Sequence, residues 1–471
     1  MLKMKRREFL KIPVSAALAS IANCCSCLLD NQNKGTIRQR PNIIFMLTDD
    51  QRWDALGCAG NKFIQTPNMD TMASEGIRFS NAFVTSPICC ASRASIFTGQ
   101  YARHHGIHDF VTELSSESLA MTYPALLRKN GYRTGFIGKY GVGTKMPESE
   151  FDVWRGIEGQ PLYEQIDKDG NIRHLTGIMG EQCLNFIRAC NHRQPFCLSI
   201  SFKAPHAQDG DPRQFIYDGA LEEMYKDIEV PQPLTASEKY FNSLAPLLQD
   251  PNTEARKRWV MRFSTPERYQ NSVKGYYRLI TGVDRVIGSI RHQLEISGFS
   301  ENTIIIFMSD NGFFLGEKGL AGKWYPYEES IRVPLIIYDP RLPKNQRGRV
   351  ISEIALNIDI APTILEYAGI SAPVKMQGKN LSLLMSSKDI YWRKDFLIEH
   401  LFDYEPIPKS EAVRTKEWKY LRFLVGDKYY EELYYIKTDP HETQNLSENP
   451  EYLKCLNMFR ILCDNLIETY I

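Results

Sequence analysis

The sequence predicts an α/β fold with a mixed, mostly parallel sheet flanked by helices, followed by a small C-terminal α+β subdomain that contains an antiparallel sheet. Three observations support this expectation. Long apolar runs end in carboxylates at residues 41–50 and 301–312, segments of helical periodicity lie between such runs, and short aromatic segments of alternating polarity follow residue 385. Open sheets of this kind bind ligands at the carboxyl ends of their strands, so polar residues just after the apolar runs are the first candidates for a site.

Four apolar runs have the character of buried strands: PNIIFMLTDD (residues 41–50), QPFCLSISFKAPH (194–206), ENTIIIFMSDNG (301–312) and RVPLIIYDP (332–340). Continuous apolar runs are typical of parallel strands that are covered on both faces, so we expect all four to run in parallel with their polar residues at one edge. Residues 123–129 and 272–296 have helical periodicity. Residues 207–268 are irregular and polar, and we expect them to pass over the binding edge.

The C-terminal part of the chain has a different pattern. Residues 357–370 are expected to form a helix, after which residues 411–424 and 428–436 are aromatic, alternating segments joined by a Gly-Asp turn. This arrangement predicts an antiparallel sheet, and residues 451–471 are expected to close the chain as a helix. The expected organisation is an export signal at residues 1–23, a main α/β domain at 38–385 and a C-terminal subdomain at 386–471.

The composition indicates a folded soluble protein that does not bind nucleic acid. The 471 residues are 43% hydrophobic and 24% charged, with a formal net charge of +1. The first 23 residues hold five basic residues and one acidic residue, so the remaining 52 basic and 55 acidic residues give a net charge of −3. Nucleic-acid binding requires a clustered basic face, which this balance does not favour.

The N-terminus has the pattern of an export signal. A basic start is followed by an apolar stretch from Ile12 to Ala22 and by small residues. The sequence RREFLK resembles a twin-arginine signal, and IANC resembles a lipoprotein cleavage box that ends at Cys24, although Asn23 is unusual there. We therefore expect a periplasmic or cell-surface protein, with a lipid anchor at Cys24 left open. No other run reaches the roughly 20 apolar residues of a membrane span.

The cysteines do not form a recognisable disulfide framework, but one pair stands in an unusual place. Three of the 11 cysteines lie in or beside the signal, and the other eight have no CxxC or zinc-type spacing. Cys89 and Cys90 are adjacent in SPICCASRASIFTGQ (residues 86–100). Neighbouring cysteines are badly placed for a disulfide, because their Cα atoms are only about 3.8 Å apart. A chemical role for this pair is therefore favoured.

Oxygen-bearing side chains follow two of the predicted strands. Asp49 and Asp50 end the first run, and Asp310 and Asn311 end the third. Each pair alone has an alternative interpretation as turn residues at a strand end. Two such pairs at one sheet edge predict a site for a hard divalent cation, which binds oxygen ligands.

Several motifs together resemble the type I sulfatases. CCASRASIFTG (residues 89–99) is similar to the signature in which a cysteine followed by x-Pro/Ala-Ser-Arg is oxidised to formylglycine. The resemblance continues in order along the chain through the Asp-Asp strand, GYRTGFIGKY (131–140), FKAPH (202–206), SDNGFFLGEKGLAGKWYPYEESIRVPLII (309–337) and RTKEWKYL (414–421). It implies the alkaline-phosphatase superfamily fold, Ca²⁺ as cofactor and a formylglycine-generating maturation enzyme as partner.

The resemblance also implies a role for each matched residue. Cys89 is in register with Arg93 and would become the formylglycine (3-oxoalanine), whose hydrate has one hydroxyl to attack sulfur and a second whose proton loss expels sulfate. The other implied roles are metal binding by Asp49, Asp50, Asp310, Asn311 and residue 89, positioning of the hydrate by Arg93, sulfate binding by Lys139 and Lys323, and protonation of the leaving alcohol by His206.

Two positions depart from the family pattern. The family commonly has Gly-Lys-Trp-His, whereas residues 138–141 are Gly-Lys-Tyr-Gly, and Gly141 cannot take a proton. His104, His105 and His108 follow the nucleophile segment and are the candidates to replace that histidine. Lys318 stands where many relatives have histidine, and its role is open.

The resulting functional hypothesis is an exported sulfatase that hydrolyses sulfate monoesters of a carbohydrate. Candidate substrate-binding residues, each of which is equally compatible with a scaffold role, are Gln208, Asp209, Trp324 and His400. One alternative is a phosphodiesterase or phosphonate monoester hydrolase of the same superfamily. Another is a protein that binds sulfated glycans without turnover, which Gly141 supports and the intact Asp, Arg, Lys and His set opposes.

Overall fold

A computed structural model describes residues 40–386 and 390–470 of the chain. The predicted export signal at residues 1–23 and Cys24 lie outside these residues. The strands of the two larger sheets are β1 (Asn42–Asp49), β2 (Ile77–Phe79), β3 (Arg133–Lys139), β4 (Val153–Ile157), β5 (Phe196–Pro205), β6 (Thr303–Ser309), β7 (Leu335–Tyr338), β8 (Arg349–Ile351), β9 (Asp395–His400), β10 (Ser410–Thr415), β11 (Trp418–Val425) and β12 (Lys428–Tyr435).

Most of the longer helices lie between strands of the first sheet, and the last one follows the second sheet. They are α1 (Pro67–Glu75), α2 (Cys89–Thr98), α3 (Tyr123–Lys129), α4 (Leu175–Arg188), α5 (Glu254–Arg262), α6 (Pro266–Ile296), α7 (Ile360–Tyr367) and α8 (Leu453–Tyr470). Shorter helices are Ala102–His105, Ser116–Ala120, Glu238–Phe241, Glu328–Ile331 and Ser382–Ser386, and short strand pairs join Ala82–Phe83 to Ala355–Leu356, Glu164–Ile166 to Ile172–His174 and Phe314–Leu315 to Ala321–Gly322. The described helices include none that is both long and apolar enough to cross a membrane.

The central sheet is mixed and mostly parallel, as predicted. Its eight strands lie in the order β8-β2-β7-β6-β1-β5-β3-β4. β1 pairs in parallel with both β6 and β5, and β3 pairs in parallel with β5 and β4. The carboxyl ends of β1, β3, β5 and β6 therefore lie along one edge of the sheet, which we call the carboxyl edge.

One strand runs in the direction opposite to the prediction. β7, from the run at residues 332–340, is antiparallel to both β6 and β2. The chain between β6 and β7 stays at the carboxyl edge, where Asp310 and Lys323 lie among the other polar residues. A strand that begins at this edge must run back toward the other one. A parallel strand would have required a crossover connection, usually a helix, to return the chain first.

The two faces of the central sheet bury separate apolar cores. Along β1, Ile43 and Phe45 belong to one core, and Ile44 and Met46 belong to the other. Side chains of successive strand residues point to opposite faces, which explains why a strand covered on both sides is apolar throughout. Residues of α2, α3 and α7 pack in the first core, and residues of α1, α4 and α6 pack in the second.

The second sheet is antiparallel and packs in the first core. The predicted hairpin is β11 and β12, joined at Gly426 and Asp427, and the predicted final helix is α8. The prediction did not include β9, which adds a fourth strand beside β10. The rings of Phe83 and Phe396 lie 5.0 Å apart, which links β9 to the main core. The described residues on both sides of the predicted boundary near 385 belong to one compact unit, and the boundary itself stays a prediction.

Candidate active site

The polar residues predicted from the strand ends meet at the carboxyl edge. Asp49 is the last residue of β1 and Lys139 is the last residue of β3, while Asp310 follows β6 and His206 follows β5. All four side chains are buried. Their convergence follows from the parallel pairing of these strands, which places their ends side by side.

Cys89 enters the same site from a helix. It is the first residue of α2, a helix whose ten residues are all buried. The unpaired N–H groups and the macrodipole give this end of a helix partial positive charge. Arg93 lies four residues further on, which places it on the same helix face as Cys89. The local fold therefore aims both side chains of the signature at the carboxyl edge.

The carboxylates form a cluster that fits a metal ion. Ligand atoms of Asp49, Asp310 and Cys89 all lie within 4.8 Å of one another, and so do those of Asp49, Asp50 and His206. The Oδ1 atom of Asn311 is buried and has no hydrogen-bond partner among the described residues. Burial and the negative charge of Asp49 raise the pKa of Asp310 to about 6. Such a concentration of buried oxygen atoms is stabilised by a cation.

Three basic side chains face the carboxylates. The Nη2 atom of Arg93 lies 2.8 Å from Oδ2 of Asp310. Lys139 Nζ lies 2.5 Å from Oδ2 of Asp49, and Lys323 Nζ lies 2.5 Å from Oδ1 of Asp50. Burial by itself raises the pKa of Asp49, but the nearby lysines and Arg93 lower it well below its ordinary value. The site therefore holds alternating charges in a dry environment.

The hydrogen bonds of His206 determine which of its nitrogens exchanges a proton. Its Nδ1 lies 2.6 Å from the carbonyl oxygen of Ala207, so Nδ1 carries hydrogen and donates it. Its Nε2 lies 3.5 Å from Oδ2 of Asp50 and 3.4 Å from Nε2 of Gln160. Burial lowers the pKa of His206 to about 4. Nε2 is therefore the atom that gains or loses a proton.

Two site residues have strained backbones. Asp50 and Trp324 adopt left-handed conformations, with φ of +71° and +86°. The carbonyl oxygen of Asp50 accepts a hydrogen bond of 2.7 Å from the Tyr276 hydroxyl. Left-handed conformations are costly for residues with a Cβ atom and are retained where the surroundings fix them, often at functional sites. Asp50 itself, and Lys323 next to Trp324, form one of the ion pairs of the site.

A cavity of about 450 Å³ opens onto these groups. Its wall includes Cys89, Lys139, His206 and Lys323, which are four of the predicted site residues. Of the four candidate substrate-binding residues, two also line it: Asp209 and Trp324.

The other two candidates are held elsewhere by the fold. Gln208 Oε1 accepts a hydrogen bond of 2.8 Å from the backbone of Tyr163, and His400 is buried at the end of β9. Neither is among the cavity's lining residues. Lys318, whose role was open, is buried with its Nζ 4.2 Å from the centre of the Tyr327 ring, and it does not line the cavity either.

The geometry of the cavity does not support the prediction that His104, His105 or His108 replaces the family histidine, and for His105 the contacts indicate a structural role. His104, His105 and His108 are not among the residues that line the cavity. His105 Nε2 lies 3.0 Å from the Ser95 hydroxyl, and its Nδ1 accepts a hydrogen bond from the backbone of Ile107. Burial lowers the pKa of His105 to about 3, which is typical of a neutral structural histidine.

Gly141 instead has a packing role. Its φ is +70°, and a Cβ atom added there would lie 2.9 Å from Cδ of Arg93. A side chain at this position would therefore strain the backbone and displace Arg93. The first carbon of any side chain at this position would therefore meet the arginine that holds Asp310.

Substitution Gly141→Ala is expected to lower the turnover number at least about tenfold, because a shift of Arg93 disturbs the carboxylate cluster. Gly159→Ala is a matched control. Gly159 lines the same cavity with a φ of +59°, but an added Cβ would meet nothing within 4 Å. The turnover numbers of both variants would separate the effect of contact with Arg93 from the effect of backbone strain. Equal decreases in turnover number would contradict the packing role of Gly141.

Several other residues at the cavity could not be identified from the sequence. Gln160 and Arg258 lie in segments without a motif, and both line the cavity. Lys203, in the FKAPH motif, donates a hydrogen bond of 2.5 Å to the carbonyl oxygen of Pro161 and so fixes the segment next to Gln160. Its Nζ also lies 4.3 Å from the centre of the Tyr163 ring. Lys203 is therefore a positioning residue.

The fold and the site together define a hydrolase of the alkaline-phosphatase type. Residues 41–370 match the family profile described as Sulfatase. Residues 316–468 match the profile described as N-sulphoglucosamine sulphohydrolase, C-terminal. The chain belongs to the sulfatase family and is a sulfuric ester hydrolase.

The chain is similar to individual proteins of known structure or function. The chain is 31% identical to the N-acetylglucosamine-6-O-sulfatase of Bacteroides thetaiotaomicron, over 94% of this chain and 88% of the relative. It is 28% identical to a protein solved in complex with its substrate D-glucosamine-2-N,6-O-disulfate, with a TM-score of 0.78 over 92% of this chain and 98% of the other. The phosphonate monoester hydrolase of Agrobacterium radiobacter shares the fold, with 20% identity and a TM-score of 0.76 over 92% of this chain and 96% of that one.

Proposed function

We propose that the protein is an exported, Ca²⁺-dependent sulfatase that removes sulfate from a carbohydrate by means of a formylglycine at position 89. The observation that supports this most strongly is the convergence of Cys89, two lysines and His206 on one cavity. One named relative is an N-acetylglucosamine-6-O-sulfatase and another was solved with D-glucosamine-2-N,6-O-disulfate as its substrate, so a glucosamine ring with a 6-O-sulfate is the first substrate to test.

The donor set supports Ca²⁺. Asp49, Asp50, Asp310 and Asn311 offer oxygen atoms only, and oxygen is the ligand that Ca²⁺ prefers. A cation would give the unpartnered Oδ1 of Asn311 a binding partner. It would also stabilise the ionised form of Asp310, whose pKa is raised by burial and by Asp49. A bound Ca²⁺ would supply positive charge to stabilise the negative charge that develops beside residue 89.

The same donor set supports oxidation of Cys89. A thiol is a soft ligand that does not suit an all-oxygen calcium site, whereas formylglycine contributes oxygen. Formylglycine, when hydrated, supplies a nucleophile that can be regenerated after each turnover. This modification would require the maturation enzyme, which we propose as a partner.

The remaining chemistry is supplied by side chains that line the cavity. The ammonium groups of Lys139 and Lys323 are placed to bind the negatively charged sulfate, and their fixed positions avoid reorganisation when charge develops. Arg93 holds Asp310 and donates a hydrogen bond to the carbonyl oxygen of Lys139, so it positions both sides of the site. His206 Nε2 is the proton-exchanging atom at the cavity wall. The negative charge of a bound sulfate would favour the protonated imidazole and so oppose the effect of burial on its pKa, which would allow Nε2 to donate a proton to the leaving alcohol.

Substitution His206→Gln is expected to slow hydrolysis of sugar sulfates by about 10²- to 10⁴-fold, because a sugar alkoxide leaves poorly without a proton. An aryl sulfate with an acidic phenol needs little protonation and serves as the internal control. Steady-state kinetics on both substrates should show a loss that depends on the leaving group. Equal losses on the two would exclude His206 as the proton donor.

A panel of defined sulfated saccharides would test the proposed activity. Released sulfate, measured for wild-type protein with Ca²⁺, should be found for at least one sulfated sugar. A parallel series of aryl sulfate, aryl phosphate and phosphonate monoester would test the alternative that the fold likeness raises. Faster turnover of the phosphorus esters would overturn the proposal in favour of a phosphonate or phosphodiester hydrolase.

We also propose export, on the basis of the basic and apolar N-terminus. Fractionation of cells that express the full chain, with the mass of the mature N-terminus, would test it. A mature protein in the periplasm or at the cell surface is the expected result. A lipid-modified N-terminus at Cys24 would establish the anchor, and an uncleaved cytoplasmic chain would contradict export.

A further inference from the structure

We propose that the cavity contains a second sugar subsite, in which three aromatic side chains bind the ring attached to the sulfated one. We call Phe110, Phe402 and Tyr404 the aromatic platform. This inference rests on the proposed function, since it concerns the substrate of the same cavity. It assigns an oligosaccharide, rather than a free sulfated monosaccharide, as the preferred substrate.

The three rings form one continuous surface at the cavity. The ring centres of Phe110 and Phe402 are 5.6 Å apart at a near-perpendicular angle, and those of Phe402 and Tyr404 are 5.7 Å apart in a stacked arrangement. Phe110 is 45% exposed and Tyr404 is 44% exposed. All three line the same cavity as Cys89. The exposed rings therefore lie in the space that leads to the reacting group.

Exposed aromatic rings in a charged cavity indicate a ligand with an apolar face. A pyranose ring has such a face, formed by its C–H groups, and its burial against aromatic carbon removes apolar surface from water. A sulfate group alone occupies little of a cavity of about 450 Å³. Cavities of about 300–1,000 Å³ bury ligands of the size of a disaccharide or a drug. The space and the surface both fit a further sugar ring.

Polar groups for the hydroxyls of that ring lie in the same cavity. Arg258 Nη1 lies 3.2 Å from Oδ1 of Asp209, and its Nε donates a hydrogen bond of 2.6 Å to Oε1 of Glu254. The guanidinium carbon of Arg258 also lies 5.1 Å from the centre of the Trp324 ring. Asp209, Glu254, Arg258 and Trp324 all line the cavity. The charges of this cluster are paired, which suits neutral hydroxyls better than a second sulfate.

The loop that carries two platform residues, Phe402 and Tyr404, is held in place before any ligand binds. The backbone N–H of Ile407 donates to the carbonyl oxygen of Tyr404 at 2.9 Å, and that of Glu254 donates to the carbonyl oxygen of Pro406 at 3.1 Å. These bonds close the loop after β9 and attach it to the start of α5. The ring of His400 packs edge-on to Phe402 at 6.5 Å, so this buried histidine supports the platform. A preformed surface binds with little loss of conformational entropy.

The test compares a sulfated monosaccharide with a disaccharide that carries the same sulfated ring, first 6-O-sulfated N-acetylglucosamine alone and linked to a second hexose. Wild-type kcat/KM should be higher for the disaccharide. Phe110→Ala and Tyr404→Ala should each lower kcat/KM for the disaccharide about 5- to 10-fold and leave the monosaccharide within about twofold. Tyr404→Phe, which keeps the ring, should behave as wild type.

Tyr391→Ala is the matched control, because Tyr391 is 86% exposed and does not line the cavity. This variant should leave kcat/KM unchanged for both substrates. The proposal is overturned if the alanine variants lower kcat/KM equally for both substrates, or if they leave kcat/KM for the disaccharide unchanged.

Calorimetric binding of the desulfated disaccharide separates this inference from the proposed function, since it needs no turnover. Weaker binding to Phe110→Ala and Tyr404→Ala than to wild type would support the platform even if no sulfate were released. Equal affinity of the disaccharide for wild type and both alanine variants would overturn the platform proposal, even if the protein is an active sulfatase.

Discussion

Substitution Cys89→Ala is expected to abolish sulfate release, with a loss of at least about 10⁴-fold, whereas Cys90→Ala should remain active. Cys89 lines the cavity and lies within reach of Asp49 and Asp310, while Cys90 packs in the apolar core. Without a nucleophile at residue 89, only binding and charge stabilisation remain, and these give a small part of an enzymatic rate.

The two cysteine variants control for one another. Both residues lie in the first turn of α2 and both are buried, so general damage to the helix would appear in both. Burial and the neighbouring Cys89 raise the pKa of Cys90 well above its ordinary value, which keeps it an unreactive thiol. Loss of activity in Cys90→Ala alone would show that the register of the signature has been assigned wrongly.

Substitution Asp310→Asn is expected to remove both the metal and the activity. The change removes one carboxylate from the cluster and weakens the ion pair that Arg93 makes with Asp310. The losses should exceed the roughly 10- to 100-fold that is typical when a group outside the ligand shell of a metal is mutated. Metal content by mass spectrometry, together with turnover in added Ca²⁺, would measure both effects.

Asp284→Asn is the control for the loss of a buried carboxylate. Asp284 accepts hydrogen bonds from the backbone of Asn68 and Met69, at the start of α1 and away from the carboxylate cluster. This variant should be less stable but should keep its metal and, when folded, its turnover. Wild-type calcium content in Asp310→Asn would show that the metal site has been placed wrongly.

The sequence predicted the parts of the site that depend on strand ends. Asp49, Asp310 and His206 follow apolar runs, and parallel pairing brings such ends together regardless of the loops between them. Cys89 and Arg93 were identified by the resemblance of residues 89–99 to the sulfatase signature. The structure then places both residues on one face of α2.

Features that depend on loop conformation were not predictable in this way. The platform residue Tyr404 comes from a loop without a sequence pattern. Gln160 also lies in a segment without a motif, contacts His206, and is followed by Pro161, whose carbonyl oxygen accepts a hydrogen bond from Lys203. The reversed direction of β7 follows from the conformation of the connection after β6, and the structural role of His105 follows from its contacts with Ser95 and Ile107. Periodicity reports burial and local conformation, but it does not report which distant elements meet.

The most direct measurement is the mass of the tryptic peptide from Phe79 to Arg93, determined beside the rate of sulfate release for the same protein sample. Conversion of Cys89 to formylglycine lowers the peptide mass by about 18 Da. Preparations made with and without a maturation enzyme should differ in the converted fraction, and the rate should rise in proportion to it. Full turnover by protein whose Cys89 is entirely in the thiol form would contradict the account.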